Sequence, residues 1–172
     1  FAMQSQKRAA TAISSGYFAS QITPVDVRVK RDMVPFEVDE HPKATTLETL
    51  AGLRAVFQKD GTVTAGNASG INDGAAALVL ATADAADKAG LEPTARVLGY
   101  AHAGVRPEVM GIGPIPAVRS LLARTGLSAS DFDVIESNEA FAAQALAVRQ
   151  ELGLDPEKVN PNGGAIALGH PV

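Results

Sequence analysis

Three stretches of this sequence place polar side chains on turns that would hold them still. The first is NGGAIALGHP at 162–171, which ends with His170 between Gly169 and Pro171. An imidazole on a glycine-proline turn can act as a general base, or donate to an oxyanion through one ring nitrogen. A plain surface-loop histidine is the alternative. The stretch is not a Walker loop, because His170 stands where a lysine is required, and it is not a dinucleotide fingerprint. The second is SNEAF at 137–141, between an apolar run and an alanine-rich run. Asn138 there is either a helix N-cap or an amide that anchors a water or donates to a developing oxyanion. The third is NASGINDG at 67–74. Its glycines allow close backbone approach to a ligand with N–H groups left free, or they simply form a turn before a buried strand.

Other polar groups are weaker candidates. His41 and His102 have no comparable setting and read as structural histidines. Asn67, Ala68 and Ser69 match a glycosylation sequon, but no secretory signal accompanies them. Arg28, Lys30 and Arg31 make a small basic face, either a solvated edge or an anion site for a ligand phosphate.

Composition narrows the classes. The 172 residues carry 15 lysines and arginines against 19 aspartates and glutamates, a net charge of −4, which argues against a binder that neutralises nucleic-acid phosphates. There is no cysteine, so disulfides, cysteine-zinc sites and a cysteine nucleophile are excluded within this chain. No apolar run is long enough to cross a membrane as a helix. With 46% hydrophobic residues the chain has the makings of a core. The first residue is Phe1 and the opening reads as a helix interior, while the last residues stop in a loop-like motif. The sequence therefore reads as a fragment of a longer protein.

The elements that must position these groups follow from periodicity. Ala2, Ala9, Ala10, Ile13 and Tyr17 recur at helical spacing and predict a helix over 1–21. Val25, Val27 and Val29 alternate with charges as a strand, and 33–38 is a second extended piece that Pro35 confines to an edge. Residues 39–46 form a polar loop. Leu47, Leu50, Leu53 and Phe57 make one stripe of a short helix. The run at 75–81 predicts a strand buried on both faces, and Thr82 caps a helix to Lys88. Residues 95–103 and 132–136 predict two more strands. Helices are expected from Pro114 or Pro116 through Arg124 and from Glu139 to Leu152, stopped by Gly126 and Gly153. Residues 160–164 read as a tight turn. Alternation of strand and helix after residue 60 predicts an α/β layered fold.

The three motifs occur together and in order, and the set resembles the thiolase family, in particular bacterial acetyl-CoA acetyltransferases and β-ketothiolases. TVTAGNASGINDGA at 62–75, VMGIGPIPA at 109–117, NEAFAAQ at 138–144 and NGGAIALGHP at 162–171 all look like that family's stretches. The resemblance implies a thiolase-like layered αβαβα fold of two similar halves, incomplete in this chain. Residues 1–70 would be the latter part of a loop domain, 71–92 the last strand and helix of the N-terminal half, and 93–172 the first part of the C-terminal half.

It also implies a reaction, the making or cleaving of 3-ketoacyl-CoA by two-step exchange through a cysteine acyl-enzyme. His170 would activate the nucleophilic cysteine and help bind a thioester oxygen, and Asn138 would hold a water that completes the oxyanion site. Ser69, with Ala65 nearby, would contact the pantetheine arm, Leu53 and Phe57 would surround the CoA moiety, and Met110 and Phe141 would wall the acyl tunnel. Lys43 would stand where the family often has a basic residue near the nucleotide. Coenzyme A thioesters are the implied substrates, with no permanently bound cofactor and no metal. The expected parent is a cytoplasmic homotetramer of fatty acid metabolism that engages neither nucleic acid nor membrane. Both family cysteines are missing here, so the 172-residue chain alone is expected to be inactive. A non-catalytic thiolase-like acyl-CoA or lipid binder is the alternative, and a ketoacyl synthase relative is a weaker one.

Overall fold

The computed structural model describes residues 1–171. Helix α1 spans Ala2–Ser14 and buries Ala2, Ser5, Ala9 and Ala12, one stripe at helical spacing. It is shorter than the periodicity predicts. The chain leaves the helix at Ser15 and Gly16, and only a 3-10 turn at Ala19–Gln21 follows. Strands β1 (Val25–Val29) and β2 (Asp32–Phe36) form an antiparallel hairpin in which Asp26 faces Pro35. In this two-stranded sheet both strands are edges, so the missing proline donor costs no ladder bond.

Helix α2 covers Leu47–Ala51, and the Thr46 hydroxyl accepts from the Thr49 N–H at its start. Leu53 and Phe57 lie beyond its end, so the apolar stripe is only partly helical. Thr82 caps α3 (Ala83–Lys88) in the same way, as expected. Helix α4 (Pro114–Thr125) and helix α5 (Ala142–Leu152) pack against each other and end on left-handed Gly126 and Gly153. A short helix α6 (Ala165–Leu168) packs on α1.

The core is small and made mostly of small side chains. Ala9, Ala145, Val148, Ile166 and Ala167 are buried, and Ala2, Ala142 and Ile166 cluster with Phe1 and Leu50 over them. Close approach replaces bulk. A Cβ on Gly163, whose φ is +87°, would lie 2.7 Å from the Ala9 Cβ, so α1 lies directly on the 160–164 turn. Arg8 fixes that contact by donating to the Val159 carbonyl at 2.7 Å and to the Pro156 carbonyl at 3.1 Å.

Three predicted strands are corrected. Residues 75–81 and 95–103 form no strand, and their apolar side chains face outward: Leu78 and Val79 are each 90% exposed, and Val97, Leu98 and Tyr100 are exposed too. Residues 132–136 supply a single parallel bridge, Ile135 to Val159. An apolar run becomes a strand only when a neighbouring strand takes its N–H and C=O groups, and among the described residues no strand pairs with 75–81 or 95–103, while 132–136 finds a partner only at Val159. The tight turn at 160–164 is present as predicted, and Ala165, Ile166 and Ala167 after it are buried.

Covering an exposed Leu or Val recovers about 1.5–3 kcal/mol per side chain, so these segments favour association. Produced as these 172 residues, the chain is expected to self-associate at micromolar concentration in analytical ultracentrifugation. Leu78→Lys with Leu80→Lys should shift it toward monomer. A wild-type monomer with one sharp unfolding transition would contradict this.

Candidate functional site

The segment 67–72 stitches together two parts of the chain that lie far apart in sequence. On one side the Ser69 N–H donates to the Ala140 carbonyl at 3.0 Å and the Ala142 N–H donates to the Asn67 carbonyl at 2.9 Å. Ala68 and Phe141 form an antiparallel bridge there. These bonds hold 138–141 extended, which is why α5 begins at Ala142 and not at Glu139. On the other side Ile71 and Asn72, as β3 (Ile71–Asn72), pair in parallel with β4 (His170–Pro171), and the His170 N–H donates to the Gly70 carbonyl at 3.1 Å.

Asn138 and His170 meet as a result. Asn138 Nδ2 and His170 Nε2 are 3.1 Å apart. With the amide so turned, Nδ2–H donates to an unprotonated Nε2. Rotated by half a turn, Oδ1 would accept from Nε2–H instead. Asn138 is exposed and His170 half-buried, so the pair opens to solvent. When this mutual bond opens and Nε2 carries the ring proton, the imidazole and the carboxamide can both direct N–H groups at a carbonyl oxygen that gains negative charge.

Each partner is held from behind. Asn160 uses its carboxamide as a surrogate peptide: Oδ1 accepts from the Ser137 N–H at 2.7 Å, and Nδ2 donates to the Ser137 carbonyl at 2.7 Å. The Ile135–Val159 bridge is thus extended by a side chain up to Asn138. Glu139, 2% exposed, accepts from Ser5 Oγ at 2.6 Å, from Asn160 Nδ2 at 3.0 Å and from the Ile166 N–H at 3.2 Å. One carboxylate therefore ties α1, the 160–164 turn and α6 to the residue beside Asn138. Partial desolvation, with the Glu139 charge second, pushes the Glu136 carboxyl above its usual range. The folded chain then holds that proton more tightly than the unfolded one, so Glu136 opposes folding as pH rises above the ordinary carboxylate range.

The remaining expected site residues are distributed unevenly. Ser69 is half-buried on the stitching segment. Phe141 makes an edge contact with Phe57 at 6.3 Å between ring centroids. Leu53 and Leu50 lie over Gly66, where a Cβ would come within 2.6 Å of both, and Ala65 is exposed beside it. A groove of about 370 Å³ is lined by Leu47, Leu50, Val63, Asn67, Phe141 and Leu146 among others, and of the expected contacts Phe141 alone lines it. Met110 sits 70% exposed on the 3-10 segment Pro107–Ile112. Lys43 is exposed, with its N–H bonded to the Gln6 carboxamide. No metal-holding cluster occurs among the described residues.

Sequence reasoning passed over Glu139, Asn160 and Asn72, and it set His41 aside. The structure puts the His41 ring against Gly70, with Nε2 3.2 Å from the Ile166 carbonyl. A glutamate directly after Asn138 was the one available signal, since an acidic residue inside an apolar stretch needs donors when buried.

Known proteins resemble this chain along its whole length. Residues 1–84 match the family model described as thiolase, N-terminal domain, and residues 91–172 match thiolase, C-terminal domain. The β-ketoadipyl-CoA thiolase of Pseudomonas aeruginosa is 61% identical over 175 residues, covering 100% of this chain and 44% of its own length. The acetyl-CoA acetyltransferase of Escherichia coli is 58% identical, with 99% and 44% covered. Among solved structures, the Bacillus anthracis acetyl-CoA acetyltransferase superimposes with a TM-score of 0.95 at 55% identity, over 98% of this chain and 43% of that one. Human mitochondrial 3-ketoacyl-CoA thiolase in complex with CoA gives 0.92 at 52% identity, over 99% and 42%. The chain thus spans about 44% of the length of the curated relatives it matches.

Replacing Glu139 by Ala leaves the Ser5 hydroxyl, the Asn160 amide and the Ile166 N–H without their shared acceptor. The expected loss is about 3 kcal/mol or more of unfolding free energy in urea titration. Gly164→Ala should cost about 1–3 kcal/mol, because its new Cβ would collide with the Glu139 carboxylate.

Proposed function

This chain belongs to the thiolase family, and from that membership we propose that it is the part of an acyl-CoA acyltransferase that supplies the oxyanion-binding pair. The whole protein would make or cleave 3-ketoacyl-CoA, as an acetyl-CoA C-acetyltransferase or β-ketothiolase. The observation that carries this reading is the 3.1 Å approach of Asn138 and His170 at an open surface.

The chemistry follows from what a thioester needs. A thiolate attacks the thioester carbonyl, CoA leaves as its thiolate, and an acyl-enzyme forms. A second thioester loses its α-proton, and the resulting carbanion attacks the acyl carbonyl of the acyl-enzyme, displacing the enzyme thiolate to give the 3-ketoacyl product. Negative charge gathers on a thioester oxygen in the carbanion step, and fixed donors beside that oxygen lower the barrier. In this reading the His170 Nε2–H is one donor and a water held by Asn138 is the other. His170 also activates the nucleophilic thiol. That thiol, and the one that moves the α-proton, lie outside this chain, which has no cysteine.

Binding of the CoA arm is assigned to Ser69 and Ala65, with Leu53 and Phe57 around the CoA moiety and Met110 and Phe141 as apolar walls. The edge contact between Phe57 and Phe141 supports an apolar surface beside the donor pair. Coenzyme A thioesters act as substrates, and no permanent cofactor is invoked. Residues 1–70 are assigned to a loop domain, 71–92 to the end of one thiolase half and 93–172 to the start of the other. A homotetramer, a cytoplasmic location and a role in fatty acid metabolism rest on the family resemblance alone.

In the whole protein, His170→Ala should lower turnover of acetoacetyl-CoA by about 10²–10³-fold or more, with a modest change in the CoA dissociation constant by calorimetry. Asn138→Ala should lower kcat in the same direction. Near-normal turnover in both would remove the pair from the mechanism, whereas a wild-type whole protein that binds CoA without turning over acetoacetyl-CoA would make a CoA binder the better reading.

A further inference from the structure

We propose that His41 and Asn72 are positioning residues for His170, joined in a hydrogen-bonded relay that sets the turn on which the catalytic imidazole stands. The inference rests on the role given to His170 above and extends it to two residues on other segments.

The relay has one self-consistent arrangement. Asn72 Oδ1 accepts from the His170 N–H at 3.3 Å, alongside the Gly70 carbonyl. With Oδ1 committed there, Nδ2 points the other way, 3.4 Å from His41 Nδ1. An amide nitrogen only donates, so Nδ1 must be the unprotonated ring nitrogen. The ring proton is then on Nε2, which donates to the Ile166 carbonyl at 3.2 Å. Reversing the Asn72 amide would lose the His170 N–H bond, and keeping a bond to His41 would then need the ring proton on Nδ1, which would lose the bond to the Ile166 carbonyl. The Ile166 N–H is meanwhile held by Glu139 at 3.2 Å. The short helix leading to His170 is therefore gripped at Ile166 through both its N–H and its carbonyl, and again at His170 itself.

The backbone has been cleared for these two side chains. A Cβ on Gly70 would collide with the His41 ring and come within 2.9 Å of Asn72 Oδ1. A Cβ on Gly169, the residue before the imidazole, would lie within 2.6 Å of the Asn72 carboxamide carbon. Two glycines in separate motifs thus leave space for one relay. Among the described residues β4 pairs with β3 over two residues, and the Asn72 side chain adds a hydrogen bond to the His170 N–H in that pairing.

The test uses the whole protein. Asn72→Leu removes both bonds at similar volume, and Asn72→Asp keeps an acceptor for the His170 N–H. Asn72→Leu should lower kcat about tenfold or more, with KM for the acyl-CoA within about twofold, the mark of an interaction needed in the transition state. Asn72→Asp should recover most of that loss. Should Asn72→Leu fail to fold, His41→Phe carries the same expectation. In ¹⁵N-histidine spectra, His41 should carry its proton on Nε2, and the His170 ring signals should move in Asn72→Leu. A wild-type His41 protonated on Nδ1 instead, or a folded Asn72→Leu protein with unchanged kcat and unmoved His170 signals, would overturn the inference. Failure of the reading of Asn138 and His170 as the donor pair looks different. In that case His170→Ala and Asn138→Ala would leave turnover intact, while the His41 tautomer and the His170 shifts would still report on the relay.

Discussion

A carboxamide at 138 and an imidazole at 170 can share one oxygen only if two loops are held in register to within a fraction of an ångström, and among the described residues the sheet that joins them is two residues long. The segment 67–72 meets that requirement by bonding to both loops at once, through Asn67 and Ser69 on one side and Gly70 and Asn72 on the other. Because it is a short run of backbone and not a pair of flexible side chains, the distance between the loops is set by peptide geometry. Every other feature of the site is built against this stitch.

Behind it stands a buried carboxylate. Placing Glu139 away from water is expensive unless its lone pairs find donors. Ser5, Asn160 and the Ile166 N–H provide them, each from a different part of the chain. The arrangement stabilises less through net energy than through the penalty for coming apart, since separating any one element strands a polar group. That makes it well suited to fixing positions in a core whose buried side chains are mostly alanine. Small side chains allow helices to approach closely, but they interlock poorly, and directional bonds take over the task of registration.

Local structure that depends on neighbours in sequence was legible in advance. Thr82 capping α3, the glycine stops at 126 and 153, the alternation of Val25, Val27 and Val29, and the turn at 160–164 all follow from interactions within a few residues. Those that failed share a dependence on distant partners. The runs at 75–81 and 95–103 have strand-like composition, but their hydrogen-bonding groups must be taken up by another strand, and composition does not say whether one is there. Helix α5 starts three residues later than the pattern predicts because the helix propensity of Glu139 and Ala140 is outweighed by pairing of 140–142 with 67–69. His41 was discounted because nothing near it in sequence hinted at Ile166 or Asn72.

The order and identity of four motifs were enough to point to the family, and the resemblance marks Asn138 and His170 as the candidate pair, because the residue types alone fit a helix cap and a loop histidine equally well. Their mutual distance, the buried glutamate between them and the reach of His41 and Asn72 toward the imidazole were decided only when the chain folded. Those contacts join residues up to 134 positions apart, and a hydrogen bond depends on where atoms lie in space, which a linear pattern does not encode.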